Sequence, residues 1–129
     1  MVSKDGNLRQ MFRSNLRDVF WTSIETSTEP GVPDSFYCFN GVSGWLEFKK
    51  IFSGERVPSL TPVQVLWHAR LARKGGRSFF AVRRNQDLLL VPGDRGGVIL
   101  KEGLTAADPI VWPSPWPWKA VKAALCRSP

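Results

Sequence analysis

Residues 34–49, Asp34-Ser-Phe-Tyr-Cys-Phe-Asn-Gly-Val-Ser-Gly-Trp-Leu-Glu-Phe-Lys49, decide the fold. The aromatic run from Asp34 to Phe39 suits a strand, Asn40-Gly41 supplies two residues that tolerate positive φ, and Gly44 to Lys49 returns as a second strand. The reading is an antiparallel hairpin. Side chains alternate across a strand, so Trp45, Glu47 and Lys49 share one face while Leu46 and Phe48 take the other. An acid and an ammonium thus become neighbours, and a second acid, Asp34, opens the adjoining strand.

Upstream, Thr26 to Pro33 (TSTEPGVP) is dense in turn formers, and each of its two prolines pushes the preceding residue out of the helical region, which makes a loop. Before it, Met11, Phe12, Leu16, Val19 and Phe20 fall at roughly helical spacing behind a cap at Ser14 or Asn15, predicting a short first helix. Residues 1–10 read as a loose leader. Downstream, a loop runs to Leu60, then Thr61 caps a helix with Pro62 at its first position, where the missing amide costs nothing. Val65, Leu66, Ala69 and Ala72 repeat at three and four across residues 61–74, and Gly75-Gly76 ends the helix in a left-handed cap. Arg77 to Arg84 is a strand, Asn85-Gln86-Asp87 a turn, and Leu88 to Val91 a strand ended by Pro92-Gly93. Helix, hairpin, helix, hairpin predicts an α/β domain, with the Asp34 and Glu47 strands in a central sheet against helices that include residues 61–74.

Beyond Gly93 the pattern weakens to a helix or loop as far as Gly103. Asp108 to Lys119 (DPIVWPSPWPWK) holds four prolines and three tryptophans, which predicts an extended, polyproline-like path with the indoles laid over the apolar surface. The other reading has Trp112, Trp116 or Trp118 stacking on unpaired bases. The expected organisation is one domain over residues 1–129, its core spanning about residues 11–92 and a Pro/Trp-rich extension covering about residues 104–129.

With 129 residues, 43% of them hydrophobic and 22% charged, the chain has the composition of a folded protein and not of a disordered one. Lys and Arg total 18 against 11 Asp and Glu, a formal charge of +7 that favours a polyanionic partner, nucleic acid first. Cys38 and Cys126 lack the paired spacing of a zinc site and read as free thiols in a reducing compartment. Met1 to Gln10 has no apolar stretch followed by small residues, and no run approaches a membrane span. The expectation is a cytoplasmic protein with no membrane partner.

Two acids and an ammonium in one patch have a specific chemical use. Carboxylates supply the hard oxygen ligands that Mg²⁺ prefers, and Mg²⁺ keeps several waters while it binds phosphate oxygens. Such an ion acidifies a bound water and polarises a phosphodiester. Lys49 suits the positioning of that water or the neutralising of charge at phosphorus. A Glu-x-Lys pair alone more often marks a solvated face, so the context has to decide.

That context is a series of motifs in order: Gly31-Val-Pro-Asp34, Gly44-Trp-Leu-Glu47-Phe-Lys49, Leu60-Thr-Pro-Val-Gln64-Val-Leu-Trp67 and Ala72-Arg-Lys-Gly75-Gly76. Their order and spacing resemble the VRR-NUC family of the PD-(D/E)XK nuclease superfamily, most closely the small stand-alone members of bacteriophages and prophages, over roughly residues 15–92. The resemblance implies a restriction-endonuclease-like core with a mixed sheet flanked by helices. It implies Mg²⁺ dependence, with Mn²⁺ able to substitute, and endonuclease cleavage of DNA, of the branched or Holliday-junction kind, in phage replication, recombination or repair. It further implies a homodimer in the bacterial host cytoplasm. By that likeness Asp34 and Glu47 are metal ligands, Lys49 is the catalytic lysine, and Gln64 is the glutamine beside the site.

The sequence departs from the pattern at the first helix, where many superfamily members carry a further acid. Here that stretch offers only Asp18, and Glu25, on the segment leading into the turn, is the other candidate ligand. His68, the one histidine, reads as structural, because carboxylate-metal chemistry needs no imidazole. Arg70, Arg73, Lys74, Arg77, Arg83 and Arg84 are the candidate phosphate contacts. Two other classes compete: a non-catalytic nucleic-acid-binding module with a Trp-rich stacking tail, and an interaction protein whose Pro-Trp tail docks a partner.

Overall fold

The computed structural model describes residues 5–25 and 29–127. The hairpin forms as read: strand β2 (Ser35–Phe39) turns through Asn40 and Gly41, both at positive φ (50° and 77°), into β3 (Val42–Ile51). Helix α2 (Pro62–Arg73) carries β3 across to β4 (Ser78–Arg84), which pairs parallel to it, and β5 (Asp87–Pro92) returns antiparallel. Two further strands extend the sheet: β1 (Phe20–Ser23) beside β2, and β6 (Ile110–Trp112) beside β5. The result is an α/β fold in which a six-stranded mixed sheet, in the order β1 to β6, is flanked by four helices.

Alternation along the strands sends the core to both faces. On one, α1 (Leu8–Asn15) and α4 (Trp118–Cys126) bury Leu8, Phe12, Val121 and Leu125 against Tyr37, Leu46, Phe48, Leu88 and Leu90. On the other, Val65 of α2 and Ile99 of α3 (Gly96–Glu102) pack against Phe80, Val82, Leu89 and Val91. Each fully buried Leu or Phe contributes about 1.5–3 kcal/mol, so both helical layers are needed to hold the sheet. Among the described residues no helix is long and apolar enough to cross a membrane.

Several expectations need correcting. The first helix runs from Leu8 to Asn15 and not on to Phe20: Leu8 and Phe12, one turn apart, form its buried stripe, and Phe20 begins the edge strand β1 instead. The described part of the expected leader is therefore structured. The segment from residue 108 to 119 is not a continuous extended path, because Ile110–Trp112 bond to β5 and α4 starts at Trp118. Its indoles do pack: Trp116 is buried and donates to the Gln86 carbonyl at 2.8 Å, and Trp118 meets the Phe12 ring edge-on at 5.2 Å. Trp116 and Trp118 are thus committed to the core and form no stacking tail. Residues 26–28, part of the expected turn, lie outside the described residues.

Candidate active site

Strand β3 outruns β2. Residues 42–46 of β3 pair with β2, whereas residues 45–51 pair with β4. Past Leu46, one edge of β3 lacks a neighbouring strand among the described residues, and the Phe48 amide donates instead to Asp34 Oδ2 at 3.0 Å. A carboxylate that completes the backbone of the next strand is fixed in place, as a ligand must be. The notch between the diverging strands is a cleft of about 390 Å³, lined by Asp5, Arg9, Asp34, Glu47, Phe48, Lys49, Ser59 and Gln64.

Glu47 and Lys49 point from β3 into this cleft on the side of α2, as alternation requires. Glu47 is 3% exposed and Lys49 7% exposed, so their charges are not those of a solvated face. Lys49 Nζ lies 3.2 Å from Glu47 Oε2 and donates to the Ser59 carbonyl at 2.9 Å. Gln64 Nε2 approaches the same Oε2 at 3.4 Å. The other oxygen, Glu47 Oε1, is buried with no hydrogen-bond partner. Burial, together with nearby Asp34, pushes the Glu47 carboxyl up to about 7 against the opposing effect of Lys49. A buried carboxylate with a free oxygen beside a second carboxylate is what a hard cation would satisfy.

Gln64 has two tasks at once. Thr61 and Gln64 form a capping box: Gln64 N–H donates to Thr61 Oγ1 at 3.2 Å, and Thr61 N–H donates to Gln64 Oε1 at 3.0 Å. The cap holds the amide oxygen toward the helix end, which leaves the amide nitrogen directed at Glu47.

The candidates for a further acid are placed elsewhere. Asp18 is paired with Lys122 of α4, and Glu25 is exposed past the end of β1; neither lines the cleft. The acid that does line it is Asp5, whose carboxylate accepts from the amides of Asn7 (3.0 Å) and Arg9 (3.3 Å) at the start of α1. Asp5, Arg9 and Ser59 were missed in the sequence. An acid three residues ahead of the buried Leu8 is a helix-start signal that a longer first-helix assignment would have used. Among the described residues no three Asp, Glu, His or Cys side chains are grouped as a metal cage. Asp34 and Glu47 act as a pair, with Asp5 on the cleft wall.

His68 is fully buried, its Nδ1 2.6 Å from Ser78 Oγ, and burial pushes its pKa down to about 4. It is a neutral core residue behind the site. The basic residues divide. Arg77 donates to the Leu125 carbonyl, Arg83 to the Asn85 carbonyl, and Arg84 to the Gly54 carbonyl and Glu55, so these three brace the fold. Arg70 and Arg73 are exposed on α2, and so is Lys74, which caps its end. Cys38 and Cys126 are free thiols, both part-buried. Compared with models of known protein families and with curated proteins, the chain matches none.

Proposed function

We propose that the protein is a metal-dependent deoxyribonuclease with a restriction-endonuclease-like core, of the VRR-NUC kind its sequence resembles, acting on branched or junction DNA in phage replication, recombination or repair. The observation that carries this reading is Glu47 Oε1: a buried, unpartnered carboxylate oxygen beside Asp34 and Lys49 in an open cleft. Solvated surface acids, which a purely DNA-binding module would have here, do not look like this.

Asp34 and Glu47 are the residues that would hold Mg²⁺ or Mn²⁺, and the unpartnered oxygen fits a hard cation. The ion, when bound, supplies an acidified water and draws charge from the scissile phosphate. Lys49, fixed by the Ser59 carbonyl, holds a positive charge where negative charge grows on phosphorus. Gln64 keeps Glu47 oriented through its amide nitrogen. Arg9, at the mouth of the cleft, is placed to hold a neighbouring phosphate. A homodimer in the host cytoplasm is the assembly and setting that the resemblance implies.

The test is incubation with a four-way junction, a flap, a linear duplex and a single strand, with Mg²⁺ and with EDTA. Cleavage should require the metal, and Asp34→Ala or Glu47→Ala should abolish it while DNA binding persists. Full activity in both variants would refute the assignment.

A further inference from the structure

On the face that carries Glu47, two residues back along β3, begins a row of aromatic rings that the cleft does not use. Trp67 of α2 meets Trp45 of β3 at 5.4 Å between ring centroids, Trp45 meets Phe36 of β2 at 5.2 Å, and Phe36 meets Phe20 of β1 at 6.5 Å. All three contacts are edge-to-face, at 68–71°. The row crosses three strands to the edge of the sheet, where Phe20 is 60% exposed. Phe36, Trp45 and Trp67 are only part-buried. The rings pack on one another, yet a contiguous aromatic row that keeps part of each ring, and most of Phe20, in solvent also marks an interaction surface.

Charge identifies the occupant. At the Trp67 end of the row, Arg70, Arg73 and Lys74 are exposed and make no side-chain hydrogen bond or ion pair among the described residues. Trp67 and these three cations line one pocket of about 350 Å³, with Glu29 and Leu71 completing it. A ligand with flat apolar faces and regularly spaced negative charge matches both halves of this surface. A second copy of the chain does not, since a two-fold contact through this patch would set the same cations against one another.

Duplex DNA keeps its base faces stacked inside, at a rise of about 3.4 Å, so it presents phosphates and groove edges but no base faces. Rings whose planes are tilted 68–71° to their neighbours offer separate faces and not one continuous stack, which suits bases that are unpaired and splayed. We propose that Trp67, Trp45, Phe36 and Phe20 form a stacking platform for unpaired bases, with Arg70, Arg73 and Lys74 on the accompanying phosphates. Resting on the nuclease reading, this names the substrate class: DNA with a single-stranded stretch beside the scissile link.

The experiment measures binding alone, in EDTA, by fluorescence anisotropy of a labelled oligothymidylate and of a duplex of equal length. Phe20→Leu and Trp67→Leu keep apolar bulk but remove the ring; Phe20→Trp and Trp67→Phe restore it. Each leucine variant should bind the single strand about five-fold or more weakly, the equivalent of about 1 kcal/mol per base. Duplex binding should be unchanged, and the aromatic variants should recover the loss. Phe20 is largely exposed, so its variants keep the test informative if a Trp67 variant folds poorly. Unchanged single-strand binding in Phe20→Leu, or an equal loss on duplex, overturns the platform. So does sedimentation showing a wild-type dimer that Phe20→Leu dissociates without altering oligonucleotide binding. Because no metal and no cleavage enter, failure here leaves the nuclease test standing, and failure of the nuclease leaves this one standing.

Discussion

Acid should withdraw the stabilising contribution of one residue, His68, while the raised Glu47 carboxyl works in the opposite sense over the same range, so the two have to be separated by a variant. His68 is fully buried against Ser78, and burial, reinforced by the charge on Lys49, pushes its pKa down to about 4 from an ordinary 6.5. Between those two values the unfolded chain binds the proton that the folded protein refuses. Stability therefore rises with pH across this window: the contribution is intact above 6.5 and is lost as pH falls toward 4. At about 1.4 kcal/mol per pH unit the full effect is about 3 kcal/mol, and about 2.5 kcal/mol of it is lost between about pH 7.5 and 4.5. Domains of this size hold about 5–15 kcal/mol in total, so the change is readily measured. Urea unfolding at the two pH values, on the wild type and on a His68→Leu/Ser78→Ala double variant, isolates it from the titrating carboxylates. The double variant removes the imidazole and its partner together, so neither is left unpaired. The wild type should lose about 2.5 kcal/mol more than the variant. Parallel losses in the two proteins would refute a buried neutral His68.

Two further outcomes follow from the same contacts. Lys49→Ala should slow single-turnover cleavage about 100- to 1,000-fold at saturating Mg²⁺, the usual effect of removing one preorganised charge at a transition state; an unchanged rate would remove Lys49 from the machinery. Gly93→Ala should lower the thermal midpoint, because a Cβ there would overlap Ser78 Oγ and come within 3.1 Å of His68 Nδ1. The expected loss is about 1–3 kcal/mol, and an unshifted midpoint would show that the His68–Ser78 contact is not tight.

The parts legible in the sequence were those governed by local rules. Asn40-Gly41 specified the hairpin, and Thr61-Pro62 marked the start of α2 to within a residue. Period-two alternation put Glu47 and Lys49 together and sent Leu46 and Phe48 to the opposite core. What was hidden depends on distant partners. Phe20 fits a helical stripe with Leu16, yet it lies in a strand because β2 offers an edge to pair with. Ile110–Trp112 lie among prolines and become regular only by bonding to β5. Arg70, Arg73 and Lys74 read no differently from Arg77, Arg83 and Arg84; only the fold shows that the second group is tied to carbonyls and to Glu55. Asp5 went unseen because a helix placed too late left it outside.

The way α4 seals the sheet has a consequence for the order in which the molecule can be made. Every residue that lines the cleft lies between positions 5 and 64, whereas Trp116, Val121 and Leu125, which cover Leu46, Leu88 and Leu90, are made only after them. A chain halted before Trp116 would carry every one of those cleft residues on a sheet whose apolar face is bare, and such a product is open to aggregation and proteolysis.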